Sequence, residues 1–479
     1  MTVRVAIDEV QANVLFGYKP QYDHALYVRL NIWNAARARE TLGRWSRAGV
    51  ISFGNVREAT APAHVNVAFT YAGLRRLQLP RAVLDAFPED FRHGARCRAD
   101  SLGDDWPQRD EKRSRRERYR DCHVIVSIQG TSPEACEEQK RTLRLRRSFS
   151  HVAERQAAST KEWVPSSPDI AHVREHFGFA DGRSQPAVEG VDVDPVGDGV
   201  YAGLHPTTGR LRRRLSLTAE NFGLRPIARS WRHIRTGEFL LGYDNEDGEL
   251  PQGPPEPFGP DGTFMVYREI DQYGGKFKSY VEQTARRHGM SSAELGAKIV
   301  GRWEDGTPAA RVPDEPDIAE NRRRANDFRY EEDAHGFGCP LGAHVRRANP
   351  RDALPGGAER TMRHRIIRRG MPYALPDPRQ DDGGLAFICF SASIAKGFEF
   401  IQSEWINRGD AFGLGSEPDF LLQQPGADGK LKGRLVIQGY RPIVLEPPEE
   451  PFVSVRGCEY LFVPSRRALT CLSQLASAA

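Results

Sequence analysis

The order of strand-like and helix-like stretches limits this chain to a fold that combines helices with an antiparallel sheet. Strand-like sequences occupy residues 25–33, 64–71 and 122–129. In the last two, apolar and polar residues alternate with a period of two, which buries one face of a strand. Helical sequences follow these strands at 35–47, 72–78, 81–91 and from Thr131-Ser132-Pro133 to about 147. This order predicts an α+β sandwich of the ferredoxin-like kind, with helices on one face of the sheet.

The same order starts again after a long irregular stretch. Strands are predicted at 262–270, 384–393 and 459–463, and helices at 274–287, 291–300, after 393 to about 407, and from Ser465. The helix at 291–300 opens with a Ser-x-x-Glu capping box. We therefore predict two tandem ferredoxin-like domains, each an antiparallel sheet with packed helices. The predicted boundaries are 1–190 for the first domain, 191–235 for the irregular connection, and 236–479 for the second.

Composition excludes several classes of protein. The chain has 68 basic and 64 acidic side chains, a net charge of +4, which gives no argument for a nucleic-acid partner. It contains no apolar run long enough to cross a membrane. Residues 1–9 carry neither a signal-peptide core nor paired arginines, so a cytoplasmic location is expected. The seven cysteines are scattered and include no Cys-x-x-Cys motif, which argues against a disulfide framework or a thiolate metal site.

The charged stretch 104–121 lies between two predicted strands. It is dense in Arg, Asp and Glu. Such a run is typical of a solvated loop or a short exposed helix, and we predict that rather than a binding patch.

One glycine-rich segment predicts a functional turn. Gly178 and Gly182 bracket Phe179-Ala180-Asp181, and Pro186 closes the run. Glycine allows backbone conformations that other residues resist and lets the backbone approach a ligand closely. Asp181 is therefore expected on a preset turn, aimed at a ligand. The alternative is an ordinary surface turn, since Asp-Gly is a common turn dipeptide.

A histidine segment is compatible with a heme ligand. His344 lies among small and apolar residues in Cys339–Arg351, just before an Asn-Pro-Arg turn. A neutral imidazole in such a setting suits axial ligation of heme iron. The arginines that follow suit heme propionates, because guanidinium binds carboxylates with two hydrogen bonds. The alternative is a buried structural histidine beside a basic surface turn.

A third segment, 362–373, alternates apolar and basic residues and ends in Arg368-Arg369-Gly370. A strand that turns inward at Arg368 would place a fixed cation in a pocket. A solvated strand face rich in arginine is the alternative.

Together these segments resemble a known family. Gly178–Gly182 resembles the Gly-x-x-Asp-Gly motif of the dye-decolorizing peroxidases, Cys339–Arg351 their proximal-histidine segment, and Arg368–Gly370 their distal-arginine segment. Further resemblance covers most of the chain's length, at Val10–Tyr18, Gly237–Tyr243, Gly301–Pro308 and Asn326–Phe328. The length and the Arg- and Pro-rich middle resemble the longer-chain branch of the family.

The resemblance implies a heme b (iron protoporphyrin IX) in a cavity of the C-terminal domain. It implies His344 as the ligand of the iron, with a carboxylate behind it, for which Glu399 is our suggestion. On the opposite face of the heme it implies Asp181 as acid–base and Arg368 as the cation that stabilises O–O cleavage. The remaining heme contacts that it implies are Gly182, Arg183, Asn349, Pro350 and Arg351.

The expected activity is reduction of hydrogen peroxide to water, with one-electron oxidation of dyes, phenolics or other organic donors. Bulky donors could be oxidised at the surface through an aromatic radical, for which the candidates are Trp231, Trp303, Trp405 and Tyr373. Each of these side chains also has a plain packing explanation. Two other interpretations remain: a heme-binding protein for storage, delivery or iron release, and an interaction protein with decayed motifs. The sequence leaves open a homo-oligomer.

Overall fold

The computed structural model describes residues 4–18, 21–56, 60–112, 118–163, 171–192, 199–201, 231–312, 326–375, 382–426 and 428–475. Most of the predicted irregular connection, 191–235, lies outside these ranges. Every structural statement below refers to the described residues.

The first half contributes four antiparallel strands to the main sheet: β1 (His24–Ile32), β2 (Ala63–Phe69), β3 (Val124–Gly130) and β4 (Phe149–Ala158). Their order across the sheet is β2-β3-β1-β4. In chain order this is the 2-3-1-4 arrangement of a ferredoxin-like unit. Strand β4 was not predicted, because at this edge of the sheet its apolar residues are diluted by exposed polar ones, and the alternation is weak.

The second half repeats the arrangement. Its strands are β9 (Thr263–Tyr273), β10 (Ile367–Arg368), β11 (Met371–Tyr373), β12 (Asp382–Ser391) and β15 (Val453–Val463). Their order is β10-β12-β9-β15, with β11 also paired to β12. The α+β, ferredoxin-like fold class is thus confirmed, whereas the proposed domain boundaries stay a prediction.

The two halves share one continuous sheet, which the sequence did not predict. Strand β15 pairs with β2 at Phe462 and Phe69, so the strand order runs without a break from β10 to β4. The sheet also curls: Arg155 of β4 donates to Glu269 of β9 at 2.7 Å, although β4 and β9 stand five places apart in the order.

Short two-stranded pairs lie outside the main sheet: β5 (Thr160–Trp163) with β6 (Ala171–Arg174), β7 (Val200–Tyr201) with β8 (Trp231–Arg232), and β13 (Leu435–Ile437) with β14 (Ile443–Leu445). The α-helices of the first half are Ala12–Leu15, Ala35–Arg47, Tyr71–Arg76, Arg81–Asp85, Glu89–Arg98, Trp106–Lys112 and Pro133–Leu143. Those of the second half are Gly274–His288, Ser292–Val300, His344–Ala348, Gly357–Met362 and Arg466–Leu472, and π-helical turns span Ala395–Glu399 and Ile401–Ile406. No described helix is both long and apolar enough to cross a membrane.

Both faces of the sheet are buried, whereas helices on one face were expected. On one face, Val67, Val126 and Val266 join a core with the longer helices. On the other, Ala68, Ile125 and Met265 pack against an N-terminal segment that includes Val14.

The prediction of a solvated stretch at 104–121 is wrong in part. A short helix does form at Trp106–Lys112, but Trp106 is fully buried, and so are Asp104 and Asp110. Asp104 forms a buried ion pair with Arg268 of β9. Charge density suggested exposure, but both carboxylates have partners, which is how charged groups are tolerated in a core. Asp104 pairs with the second half, whereas Asp110 accepts the Tyr119 amide at 3.0 Å within the first half.

The buried Glu459 predicts a pH-dependent stability. It lies on β15, accepts a hydrogen bond from the Cys122 amide at 3.2 Å, and burial together with nearby Asp121 raises its pKa from 4.5 to about 8. Between these values the folded state holds a proton that the unfolded chain has released, so stability falls as pH rises through this window. The Glu459→Gln substitution removes this pH-dependent loss of stability, because glutamine does not ionise. In thermal unfolding, the Tm advantage of the variant over wild type should grow from pH 5 to pH 8; a difference independent of pH would contradict this.

Candidate functional site

A single large cavity brings the predicted residues together. Its wall on the sheet side comes from neighbouring strands of the second half and is mostly apolar: Ile270, Leu385, Phe387, Val453 and Val455, with Arg268 and Gln272 of β9 as its polar members. The glycine-rich segment of the first half and the helix that begins at His344 also line it. The predicted cavity therefore exists, but both halves of the chain build it, not the C-terminal half alone.

His344 lines this cavity and is supported by a buried carboxylate. Its Nδ1 lies 3.2 Å from Oδ2 of Asp419, whose side chain is 0% exposed. The other oxygen of Asp419 accepts the backbone amides of Leu421 and Leu422 at 3.0 and 2.8 Å. Burial opposes ionisation, but His344, Arg347 and the Leu422 amide outweigh it and lower the pKa of Asp419. Because Nδ1 is engaged, Nε2 is the nitrogen available to a ligand in the cavity.

The suggestion of Glu399 as the partner of His344 is wrong. Glu399 accepts two hydrogen bonds from Arg98, at 2.9 and 2.7 Å, and one from the hydroxyl of Tyr460 at 2.9 Å. Through the bonds to Arg98, Glu399 connects the second half of the chain to the first. Asp419 lies 75 positions beyond His344 in an irregular stretch, where neither periodicity nor a motif marks it.

Asp181 lies on a tight, strongly bonded turn, as its glycines suggested. Gly178 and Gly182 have φ values of 95° and 71°, in the left-handed region that favours glycine. The Gly182 amide donates to Oδ1 of Asp181 at 2.6 Å, and the Ala180 amide donates to the Glu304 carbonyl at 2.9 Å. A Cβ added at Gly182 would meet no protein atom within 4 Å, so the space beside this glycine is open.

Glu175 is a second carboxyl group on the cavity wall that sequence reasoning did not single out. It accepts the amides of Phe177 and Phe179 at 2.8 and 3.0 Å, and Gln272 donates to it at 2.8 Å. Burial, with a contribution from nearby Asp181, raises its pKa to about 7. Glu175, three residues before the Gly-x-x-Asp-Gly motif, thus fixes the turn that carries Asp181.

Arg368 lies close to Asp181. Its Nη1 is 3.7 Å from Oδ1 of Asp181, and the two side chains are 40% and 32% exposed. Its Nη2 donates to the Ser184 carbonyl at 3.0 Å. Arg368 is the last residue of β10, at the edge of the sheet, so the predicted inward-turning strand is present.

The remaining predicted contacts are distributed unevenly. Gly182, Arg183, Asn349 and Arg351 line the cavity. Arg183 donates to the Asp305 carbonyl at 2.7 Å, and Arg351 donates to the carbonyls of Asn326 and Phe328 at 2.9 and 3.1 Å. Pro350 is not among the residues that line the cavity; its carbonyl accepts the Ala353 amide at 2.9 Å, in the turn that follows.

The residues present fit a heme. One imidazole nitrogen is available on a histidine backed by a carboxylate, which is the arrangement of an axial ligand. The walls are largely apolar, and arginines that suit propionates lie on the lining: Arg183, Arg302, Arg351 and Arg365. Oδ1 of Asn349, which also lines the cavity, is buried with no hydrogen-bond partner among the described residues.

The proposed radical-forming aromatics differ in exposure. Trp303, Trp405 and Tyr373 are 5%, 2% and 2% exposed, respectively. Trp231 is partly exposed, and its indole donates to Asp327 at 3.2 Å. The packing explanation therefore fits the first three side chains.

The chain is similar to known proteins in both sequence and fold. The family model described as Dyp-type peroxidase, C-terminal, matches residues 282–413, which include His344 and Arg368. The dye-decolorizing peroxidase of Mycena epipterygia is 27% identical over 98% of this chain and 87% of its own length. The chain is thus similar, over nearly its whole length, to dye-decolorizing peroxidases. These similarities support an enzyme of the peroxidase class, an oxidoreductase.

Other similarities to this family differ in extent. The dye-decolorizing peroxidase msp1 of Mycetinis scorodonius is 31% identical over 62% of this chain, and the match spans 56% of that relative. The solved structure of an ancestral D-type dye decolorizing peroxidase is 26% identical. It covers 98% of this chain and 99% of its own, with a TM-score of 0.73.

Proposed function

We propose that this protein is a dye-decolorizing peroxidase that binds heme b. It reduces hydrogen peroxide to water, while dyes, phenolics or other organic donors are oxidised by one-electron steps. The observation that carries the proposal is the pair formed by Asp181 and Arg368, 3.7 Å apart in a cavity that His344 also lines. A base, a permanent cation and a metal ligand in one cavity are the groups that peroxide cleavage requires.

Heme, when bound, supplies the iron that binds peroxide and the redox equivalents that pass to the donor. His344 would hold that iron through Nε2. The bond from Nδ1 to Asp419 fixes the tautomer and the orientation of the ring and makes Nε2 more electron-donating.

Asp181 moves the proton. Its carboxylate accepts a proton from the first oxygen of hydrogen peroxide and returns it to the departing oxygen, which leaves as water. Arg368 cannot perform this transfer, because a guanidinium stays protonated. Its role is to stabilise the negative charge that builds up on the departing oxygen as the O–O bond breaks.

The same pair argues against a heme carrier. A protein that stores or delivers heme, or releases its iron, needs a ligand such as His344 but has no use for a base beside a fixed cation. In this chain the Asp181 turn is held by Glu175 and by the Glu304 carbonyl, so several groups keep the base in place.

Steady-state kinetics of the heme-loaded protein test the proposal. Oxidation of a small phenol and of an anthraquinone dye should each depend on peroxide concentration. Heme binding without consumption of peroxide, with either donor, would favour the carrier instead.

A further inference from the structure

The side-chain amide of Gln185 joins the two segments that carry the proposed distal residues. Its Nε2 donates to the Arg368 carbonyl at 3.0 Å, and its Oε1 accepts the Arg368 amide at 3.0 Å. The two residues are 183 positions apart in the chain. Strand β10 is at the edge of the sheet, where outward N–H and C=O groups lack a strand partner. The side-chain amide of Gln185 forms a hydrogen bond with each of these two groups of Arg368, as the backbone of a neighbouring strand would.

The adjacent residue holds the guanidinium. Arg368 Nη2 donates to the Ser184 carbonyl at 3.0 Å, so consecutive residues bind the backbone and the side chain of Arg368. Asp181 lies only three positions before Ser184 on the same segment. Asp181 and Gln185 lie on one short segment, and Gln185 binds the backbone of Arg368. These contacts therefore set the 3.7 Å separation of Arg368 and Asp181.

Other contacts fix the far side of the strand. Arg369 donates to the carbonyls of Asn13 and Leu15 at 3.2 and 3.0 Å, and also to the Arg368 carbonyl at 2.9 Å. At Gly370 an added Cβ would lie 2.9 Å from the Ala386 carbonyl. The N-terminal segment thus holds the strand on one side. On the other side, the Gln185 amide joins the backbone of the strand to the segment that carries Asp181.

We propose that Gln185 is a positioning residue that holds Arg368 in register with Asp181 and so sets the rate of O–O cleavage. The inference rests on the proposed peroxidase function. It assigns Gln185 no contact with peroxide or heme; its effect passes through Arg368.

A double-mutant cycle tests this. The rate constant for reaction of the heme-loaded protein with peroxide is measured by stopped flow for wild type, Gln185→Ala, Arg368→Leu and the double variant. Gln185→Ala should slow the reaction by about 10- to 100-fold, because misplacement of a catalytic group by about 1 Å has effects of this size. The double variant should be no slower than Arg368→Leu alone. Losses that multiply, or a wild-type rate in Gln185→Ala, would overturn the proposal.

Gln185→Glu supplies a readout that general loss of stability would not move. A protonated carboxyl can make both bonds to the Arg368 backbone, whereas an ionised one sets a lone pair against its carbonyl. The charged groups around this position are Arg368 and Arg369 on the strand, and Asp181 and Arg183 on its own segment. The rate of Gln185→Glu relative to wild type should rise as pH falls; a ratio independent of pH would overturn the assignment.

Gln129→Ala is the matched control, since Gln129 is not among the residues that line the cavity and its side-chain amide also donates to a backbone carbonyl, that of Tyr22, at 2.9 Å. It should react at the wild-type rate. Fluoride affinity of the ferric protein, a ligand equilibrium separate from turnover, should weaken in Gln185→Ala and stay unchanged in Gln129→Ala; equal weakening in both would overturn the proposal. If Arg368→Leu itself reacts like wild type, the proposed function fails at that residue; if Arg368→Leu is slow but Gln185→Ala is not, the inference about Gln185 alone fails.

Discussion

His344→Ala should abolish stable heme binding. His344 is the residue on the cavity wall whose imidazole is backed by a fully buried carboxylate, Asp419, and alanine leaves the iron without that nitrogen. The measurement is titration of the purified protein with heme, followed by the Soret band after gel filtration. Wild type should retain the band and the variant should lose it.

A second histidine on the same wall provides a demanding control. His364 also lines the cavity, but its ring stacks on Phe400 with centroids 3.6 Å apart, and its Nδ1 contacts the Lys396 carbonyl at 2.7 Å. His364→Ala should keep the Soret band. A normal spectrum in His344→Ala, with loss of heme in His364→Ala, would transfer the ligand role to His364.

Asp419→Asn should weaken heme binding less than loss of His344 does. Asparagine keeps an oxygen near Nδ1 but removes the charge, and changes of this kind behind a metal ligand cost about 10- to 100-fold in metal affinity or activity. The heme dissociation constant, measured by competition with a heme-binding protein, would show this. An unchanged constant would mean that the Asp419 contact does not act on the ligand.

Asp181→Asn and Arg368→Leu should each slow the reaction with peroxide while heme remains bound. Loss of an acid–base group costs about 100- to 10,000-fold, and loss of a group that stabilises developing charge costs about 100- to 1,000-fold. The rate constant is measured by stopped-flow absorbance with peroxide in excess. Arg368→Lys, which keeps the charge but not the planar fork, should lie between wild type and Arg368→Leu.

The Soret band of each variant is the internal control. Neither side chain is the proposed iron ligand, so both variants should load heme as wild type does. If both react with peroxide at the wild-type rate, the distal assignment is wrong, although heme binding would stand.

Local sequence patterns predicted much of the fold. Period-two alternation predicted β2 and β3, and the Ser291 cap marked the start of the helix Ser292–Val300, where the Ser291 hydroxyl accepts the Glu294 amide at 3.1 Å. Edge strand β4 was missed because half of its residues face away from the core. The junction of β15 with β2 was missed because it depends on packing between segments far apart in sequence.

In the site, too, features marked by local sequence were predicted and those that depend on distant contacts were missed. Asp181, His344 and Arg368 lie in segments with marked glycines or arginines, and the structure brings all three to one cavity. Sequence patterns did not identify the roles of Asp419, Glu175 and Gln185. Their hydrogen-bond partners include residues far away in the chain, which no local pattern reveals. Glu399 was chosen because it follows a core strand, but its charge is satisfied by Arg98, which lies 301 positions away.

The most direct test of the central claim is the absorption spectrum of the heme-loaded protein before and after one equivalent of hydrogen peroxide. We expect a ferric Soret band that changes at once on addition of peroxide and returns when a phenolic donor is added. A protein that takes up no heme, or whose Soret band is unaffected by peroxide, would contradict it.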